Sequence, residues 1–347
     1  MSFPKIDVHT HYLTPAYREA LKKAGHFPGP DGLPFTADWT AEEHLAFMER
    51  NNISKAVLSC SSPGTHLIPG DDEFGREVTR EVNEYAADLK RKYPTKFGFF
   101  ASLPLPDIAS SLLEIDYALD HLNADGFVLL SNYHGMYLGD PQLAPVYAKL
   151  QARGATVFVH PTTPCIAHAY NHSDPPPKRT LDSAPLVDAY MIPMMEFFFD
   201  STRTFVDLLL SGTAAAHPDV SFVVPHCGGA LPSVLDRMCA FSEWSHTTYG
   251  ARDIPEKITA AGVREMFAKQ FYFDLAGTPM PSQIHHILRW VKSDRLLYGS
   301  DVPWTPYVGA EKSLQVMQLE LPKLLGGEEI HGICEGNAAR LLAKNSR

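Results

Sequence analysis

Two histidines stand one residue apart near the start of the chain, His9 and His11 in the run KIDVHTH. Side chains along an extended strand alternate between its faces, so residues two apart leave the same face about 7 Å from each other. Two imidazoles at this spacing can bind one metal ion. A single pair of this kind is more often an ordinary strand with two exposed histidines, so the prediction of a metal site needs further ligands elsewhere.

Ligand-type side chains also end three other predicted strands. His160 closes the run 155–160, His226 closes the run 221–226, and Asp301 follows the run 297–300. One such residue usually makes structural hydrogen bonds, but a group of buried polar side chains needs partners, and a cation supplies one. Three neutral imidazoles and one carboxylate suit one divalent ion, zinc foremost and manganese as the alternative, with a position open for water or substrate. The residues alone leave open which three histidines bind.

The elements that must position these side chains alternate along the chain. Strands are predicted over 5–9, 55–59, 97–102, 126–130, 156–160, 221–226, 271–274 and 296–300. Helices are predicted over 40–51, 72–93, 110–122, 141–153, 201–217, 231–245 and 282–291, with a C-terminal helical extension from Ala310. Eight β/α pairs predict an α/β fold, a (β/α)8 TIM barrel in a single domain spanning 1–347. A doubly wound open sheet is the alternative, but no GxGxxG turn follows the first strand.

Two long Gly- and Pro-rich stretches interrupt this alternation, Gly25 to Asp38 and Thr162 to Pro193. They follow the first and fifth predicted strands. Barrel active sites are built from loops at the carboxyl ends of the strands, so both loops are expected to form walls or lids of the site.

Composition narrows the class of partner. A net charge of -10 disfavours nucleic acid or an anionic membrane as the main partner. The five cysteines are scattered without a CxxC pair, which favours reduced thiols over a disulfide framework. No signal-peptide core and no apolar run of about 18 residues is found, so a cytoplasmic protein without a membrane partner is expected.

The order of these residues resembles the amidohydrolase superfamily. The runs 6–11, 159–161, 226–232, 299–303 and 336–341 are similar to the branch that contains aminocarboxymuconate semialdehyde decarboxylase and 6-methylsalicylate decarboxylase. The resemblance implies that His9, His11, His160 and Asp301 hold the ion. It also implies that His226 lies beside the ion as a catalytic acid or base, or as an electrostatic partner.

Many hydrolases of that superfamily bind two metal ions bridged by a carboxylated lysine at the end of the fourth strand. The run 125–133 contains no lysine. The resemblance therefore implies a one-metal site, which favours the decarboxylases, although hydrolases with one metal ion also exist.

The residues that bind the substrate distinguish between the decarboxylases of this branch. The semialdehyde decarboxylases use two arginines, and the one contributed across a dimer interface corresponds to Arg237, which implies a homodimer. The other is absent, because the run 30–39 contains no arginine. A substrate with two carboxylates needs two cationic groups, so the departure points to a hydroxybenzoate. For Arg237 the alternative is a surface ion pair within one subunit. Several apolar and aromatic residues could form the walls of a pocket for the substrate ring, although ordinary core packing is the alternative for them. They are Phe35, Trp39, Met191, Phe197, Phe198 and Trp304.

The expected function is the metal-dependent, non-oxidative decarboxylation of a small aromatic acid of the salicylate type. The leading substrate is 6-methylsalicylate, and the products are carbon dioxide and a phenol. Asp301 is the expected proton donor, with His226 positioning or polarising the substrate. In the competing route His226 is the base that activates a water molecule. The alternatives are a one-metal hydrolase of a lactone or amide, a decarboxylase of a semialdehyde-like substrate, and a non-catalytic metal-binding barrel.

Overall fold

The fold is a closed barrel of eight parallel strands, and the computed structural model describes residues 3–165, 191–245 and 258–344. Its strands, in the order in which they pair, are β1 (Lys5–His11), β2 (Ile53–Ser59), β3 (Phe97–Ser102), β4 (Gly126–Leu130), β7 (Thr156–His160), β8 (Ser221–Val224), β9 (Phe271–Asp274) and β10 (Leu296–Leu297). A separate antiparallel hairpin, β5 (Asn132–Tyr133) and β6 (Met136–Tyr137), follows β4.

Backbone hydrogen bonds between β1 and the segment after β10 close the barrel. The N–H of Val8 donates to the carbonyl of Tyr298 at 3.1 Å, and the N–H of Asp301 donates to the carbonyl of His9 at 2.7 Å. No sheet edge is left at this junction, so the predicted (β/α)8 barrel is confirmed over the open sheet.

Helices surround the strands. Their bounds are α1 (Pro15–Lys23), α2 (Ala41–Arg50), α3 (Asp72–Lys92), α4 (Ile108–Asp120), α5 (Ala144–Ala152), α6 (Ile192–Leu210), α7 (Thr213–Ala216), α8 (Leu231–Trp244), α9 (Ala260–Gln270), α10 (Gln283–Ile287), α11 (Tyr307–Glu320), α12 (Gly327–His331) and α13 (Asn337–Ala343). Side chains of Thr40, Asp71 and Asp107 accept backbone N–H groups at the starts of α2, α3 and α4. These caps stabilise N–H groups that have no partner within the helix.

The helix boundaries differ from the predicted ones in two ways. Helix α6 begins at Ile192, well before the predicted start at Ser201, and α1 and α9 were not predicted. The first residues of α6 include a run of Met and Phe with no clear polar face, so periodicity could not separate helix from loop there. The C-terminal helical extension is present as α11 to α13.

The barrel interior is filled below the carboxyl ends of its strands. Ile6, Val8, Val57, Phe100, Val128, Phe158, Val223 and Leu297 form one buried cluster, and Ala338 and Leu341 of α13 join it. A larger apolar cluster packs between the outer strand faces and the helices. Because side chains fill the interior, a reaction site has to lie at the carboxyl ends of the strands, which form the upper end of the barrel.

A β-bulge in β1 decides which way its histidines point. Asp7 pairs with Ala56 and Thr10 with Leu58, so β1 carries one residue more than β2 over this stretch. Val8 belongs to the interior cluster, and His9 contacts Phe158 of the same cluster at 4.8 Å between ring centroids. The extra residue therefore lets both Val8 and His9 face inward, where strict alternation would have turned His9 outward.

The predicted loop from Gly25 to Asp38 contains one short 3-10 turn, Pro30–Gly32. Of the predicted loop from Thr162 to Pro193, residues 166–190 lie outside the described residues. Within the described parts of the chain, no helix is long and apolar enough to cross a membrane. None of the five cysteines forms a disulfide, and all five lie in the described ranges.

Candidate metal centre

Four predicted ligands meet at the upper end of the barrel. One ligand atom each from His9, His11, His160 and Asp301 lies within 4.8 Å of all the others. The Oδ1 atom of Asp301 is 3.3 Å from Nε2 of His9 and 3.2 Å from Nε2 of His11. Among the described residues this is the one group of such donors. Four residues that are far apart in the sequence therefore lie together at the strand ends of the barrel.

Hydrogen bonds fix the tautomer of all three histidines. Nδ1 lies 3.0 Å from Asp274 Oδ2 in His9, 3.2 Å from the Ser59 carbonyl in His11, and 2.7 Å from the Pro161 carbonyl in His160. Carboxylate and carbonyl oxygens only accept, so each Nδ1 carries the proton and donates it. Each Nε2 then keeps a lone pair that can coordinate a cation.

Burial makes this arrangement fit a metal ion. Nε2 of His9 is buried and has no hydrogen-bond partner among the described residues, which is costly unless a cation is bound. Burial lowers the pKa of His11 and of His160, so both are ready as neutral ligands. Burial also lowers the pKa of His9, but the carboxylates of Asp274 and Asp301 outweigh it and raise that pKa to about 10, so a bound ion would take the place of a proton on Nε2.

Asp301 carries the negative charge of the group. Burial alone would raise its pKa, but His9, His11 and His226 hold the pKa well below the usual range. Its Oδ1 faces His9 and His11, whereas its Oδ2 lies 3.6 Å from Nε2 of His226 and accepts a hydrogen bond from Thr305 at 3.2 Å. One oxygen thus faces the histidine ligands, while the other faces His226 and Thr305.

His226 lies beside the ligand group, as the resemblance implies. It starts a left-handed turn with φ 53°, followed by Cys227 at φ 55°. Gln283 holds the turn by donating to the His226 carbonyl at 2.8 Å. A Cβ at Gly277 would lie 2.7 Å from the His226 ring, so a glycine is required there. Nδ1 of His226 is buried, and within the described ranges it has no hydrogen-bond partner.

Asp274 is a site residue that the sequence prediction missed. It is fully buried at the end of β9, where Oδ2 accepts from His9 and Oδ1 accepts from the backbone N–H of His226 at 3.0 Å. One carboxylate therefore orients a metal ligand and the candidate acid or base together. The signal was present, because Asp274 ends a predicted strand just as His160 does. Asp7 was missed too, and it accepts the backbone N–H groups of His9 and Ser300.

Two of the predicted aromatic walls adjoin the centre. The Phe197 ring lies 6.0 Å from that of His160, and the half-buried Phe198 stacks on His226 at 5.3 Å with an interplanar angle of 20°. Trp304 is half-buried, and its buried indole N–H has no partner in the part of the chain that the structure describes. Phe35 and Met191 are exposed.

Trp39 does not belong with these walls. It is buried, and its indole N–H donates to Nδ1 of His44 at 3.0 Å. Nε2 of His44 lies 3.5 Å from the hydroxyl of Thr10. Thr10 stands between the two inward histidines and so points outward. Trp39 therefore packs on the outer side of the barrel wall, and its predicted role in substrate binding is corrected to core packing.

Arg237 lies on the exposed face of α8, with its guanidinium 4.5 Å from the centre of the Phe241 ring. Within the described part of the chain it forms no ion pair. The three histidines of the ligand group are buried inside the barrel, whereas Arg237 is exposed on the outside of this subunit.

Comparisons with known proteins agree with this geometry. The amidohydrolase family pattern matches residues 6–344. The chain is 36% identical over 324 residues to decarboxylase yanB of Aspergillus niger, covering 90% of this chain and 81% of that protein. It is 32% identical over 346 residues to the 6-methylsalicylic acid decarboxylase acuB of Aspergillus aculeatus, covering 99% and 97%.

A solved structure shares the fold at lower identity. The 5-carboxyvanillate decarboxylase of Novosphingobium aromaticivorans, solved with manganese and 4-hydroxy-3-methoxy-5-nitrobenzoic acid, superposes with a TM-score of 0.80. The match has 18% identity and covers 98% of this chain and 96% of the other. It supports the barrel architecture.

Proposed function

The chain belongs to the amidohydrolase family, and from this we propose that it is a metal-dependent carboxy-lyase that removes carbon dioxide from a small aromatic acid. The observation that carries the proposal is the group of three Nδ1-protonated imidazoles and one carboxylate around a single point. The relatives named above are decarboxylases, and one acts by name on 6-methylsalicylic acid. We take 6-methylsalicylate or a close relative as the substrate.

The proposed cofactor is one divalent ion, zinc or manganese. Three imidazole nitrogens and one carboxylate oxygen suit either ion, and zinc is the first choice for so nitrogen-rich a set. The described structure offers no lysine at the end of β4, where Leu130 is followed by Ser131 and Asn132. When bound, the ion supplies positive charge that fixes the substrate oxygens and stabilises negative charge developing on them.

The residues of the chain supply the proton. Decarboxylation replaces the carboxylate on the ring carbon by hydrogen, so one proton enters for each carbon dioxide released, and the electron pair of the broken bond returns to the ring. We propose Asp301 as the proton donor: its carboxylate is ionised at rest, so Oδ2, which lies apart from the oxygen that faces His9 and His11, first accepts a proton and then passes it to the ring carbon. His226, 3.6 Å from that oxygen, can resupply the proton or polarise the substrate.

The proposed pocket positions the ring next to these groups. Phe197 and Phe198 supply apolar faces beside His160 and His226. Trp304, close in sequence to Asp301, offers an indole N–H that has no acceptor among the described residues. Phe35, in the loop after β1, is proposed as an outer wall. An apolar slot with few polar groups suits a substituted benzoate better than a dicarboxylate.

The test is the release of carbon dioxide from salicylate-type acids, with and without a chelator. We expect turnover of 6-methylsalicylate that stops on chelation and returns on adding zinc or manganese. Hydrolysis of a panel of lactones and amides without decarboxylation would refute the proposal. It would favour a one-metal hydrolase.

The role of Asp301 is tested by Asp301→Asn. We expect turnover to fall by about 10²- to 10⁴-fold, the usual contribution of a general acid, even when added metal restores full occupancy. Metal content must be measured on the same sample, because the residue is also a proposed ligand. Full turnover at full occupancy would remove Asp301 as the donor and leave His226.

We also propose that the enzyme is a cytoplasmic homodimer. Met194 and Phe199 of α6 and Phe241 and Trp244 of α8 are exposed apolar side chains, and Arg237 lies over the Phe241 ring. A second subunit would cover this apolar surface and place Arg237 at the interface. Sedimentation of a monomer at assay concentration would contradict this, and Arg237 would then have no role in a neighbouring site.

A further inference from the structure

A cavity of about 230 Å³ lies at the opposite end of β1 from the metal centre. It opens between the start of β1 and the C-terminal helices α11 and α12. Its apolar lining includes Leu314, Met317, Leu321, Leu325 and Ile330. None of these residues takes part in the proposed reaction, so the cavity needs a separate explanation.

Lys5 gives this apolar lining a positive charge. Its side chain is 1% exposed, and its ammonium group donates to the carbonyls of Phe3 at 3.0 Å and Asn51 at 2.8 Å. An ammonium group has three donors. Among the described residues the third has no acceptor, and no carboxylate pairs with Lys5.

The neighbouring thiol does not balance this charge. Cys334 also lines the cavity, and burial raises its pKa, so it is a neutral thiol near pH 7. A buried charge without a partner is unfavourable, and burial correspondingly lowers the pKa of Lys5. An anion in the cavity would supply both the missing charge and the missing acceptor.

We propose that this cavity binds a small apolar monocarboxylic acid, with the carboxylate on the Lys5 ammonium group and the hydrocarbon against Leu321, Leu325 and Ile330. The cavity is smaller than the roughly 300–1,000 Å³ of sites for drug-sized ligands. A medium-chain fatty acid is of suitable size. The site is separate from the metal centre and does not depend on the proposed decarboxylation.

The test compares octanoate with 1-octanol by isothermal titration of the metal-loaded enzyme. The two probes share a chain and differ in charge. We expect octanoate to bind about 10- to 100-fold more tightly, the effect of one charge-assisted hydrogen bond. Equal affinity for the two probes, or no saturable octanoate binding, would overturn the proposal without any variant.

Variants locate the bound acid. Lys5→Met is expected to abolish the preference for octanoate, and Leu325→Trp should fill the cavity and weaken both probes. Lys323→Met is the matched control, since its exposed side chain pairs with Glu320 nearby, and it should bind octanoate like the wild type. Chelation of the metal should leave the octanoate affinity unchanged. Octanoate binding that survives both cavity variants, or that is lost on chelation, would place the acid elsewhere and refute the site.

Discussion

At the scale of single residues, the second nitrogen of each ring separates the ligands from the acid-base candidate. Nδ1 of His9, His11 and His160 is held by an acceptor, so the opposite nitrogen is free for a metal ion. Among the described residues Nδ1 of His226 has no such partner, although the backbone N–H of His226 donates to Asp274. The hydrogen bonds at Nδ1 thus divide the four histidines of the site into three candidate metal ligands and one acid-base candidate.

The variant Asp274→Asn tests this explanation. An amide keeps the shape but offers one acceptor oxygen in place of two, so His9 or the His226 backbone loses its partner. If the amide NH₂ faces His9, the proton of that ring moves to Nε2 and coordination is lost. We expect metal affinity to fall about 10- to 100-fold, measured by competition with a chelator.

The matched control for this variant is Asp125→Asn. Asp125 is also buried, but it lies at the start of β4 and binds Lys90 and the backbone of Phe99. Its replacement should lower stability and leave metal affinity unchanged. Wild-type affinity in Asp274→Asn would show that the carboxylate does not set the tautomer of His9.

His44 predicts a pH dependence of stability. Burial lowers its pKa to about 3 from the ordinary 6.5, so the folded protein keeps it neutral while the unfolded chain takes up a proton. Its stabilising contribution is complete above about pH 6.5 and is lost as the pH falls toward 3. The variant His44→Gln can still accept the hydrogen bond from Trp39 but has no imidazole to protonate. Between about pH 7 and about pH 5 we expect it to lose about 1 to 2 kcal/mol less unfolding free energy than the wild type loses.

Urea titrations at the two pH values measure this difference. His121→Gln, at an exposed position, should follow the wild type. If His44→Gln loses as much stability as the wild type between these pH values, His44 does not stay neutral in the fold.

At the scale of elements, α6 turns adjacent phenylalanines to different surroundings. Phe198 stacks on His226, and its neighbour Phe199 is 45% exposed. The angle of about 100° between successive helix residues produces this difference. The backbone of Gly229 also approaches Phe198 so closely that a Cβ there would lie 2.7 Å from its carbonyl oxygen, which fixes α6 against the His226 turn.

Phe198→Ala is therefore expected to damage the site, and Phe199→Ala is its control. Removing the ring leaves His226 without its stacking partner and the substrate without one apolar face. We expect kcat/KM to fall about 10-fold or more with metal content unchanged, whereas Phe199→Ala keeps kcat/KM near the wild-type value. Equal effects of the two changes would mean that Phe198 acts through general packing.

At the scale of the whole molecule, the site joins strands that lie far apart in sequence. Its ligands come from β1, β7 and the segment after β10, so a bound ion holds the two ends of the chain together. Helix α13 closes the lower end of the same barrel. We propose that residues 1–347 form one domain, which would unfold in a single transition.

Removing the metal should destabilise this domain. An ion that binds the folded chain alone adds about 2.7 kcal/mol when its concentration is 100 times Kd. We therefore expect chelation to lower Tm by several degrees in calorimetry. Asp301→Asn, which lacks one ligand, should show a smaller shift. A wild-type Tm that is indifferent to chelation would contradict a metal site that links the ends of the chain.

The sequence determined much of this protein. Short apolar runs that alternate with helical patterns specify the barrel, because a parallel strand that is buried on both faces has to be apolar along its whole length. Ligand-type residues at the ends of predicted strands identify the metal group, because parallel strands bring their carboxyl ends together. Asp274 could have been found by the same reasoning.

Only the tertiary structure decided the rest. The bulge in β1 turns His9 and His11 inward, and such a shift depends on pairing with β2, which no local pattern contains. Trp39 and Phe198 are both aromatic residues next to predicted site elements, yet one packs outside the wall and the other against His226. Residue type and spacing specify which groups can react. The direction of each side chain depends on contacts between segments far apart in sequence, and these exist only once the barrel has closed.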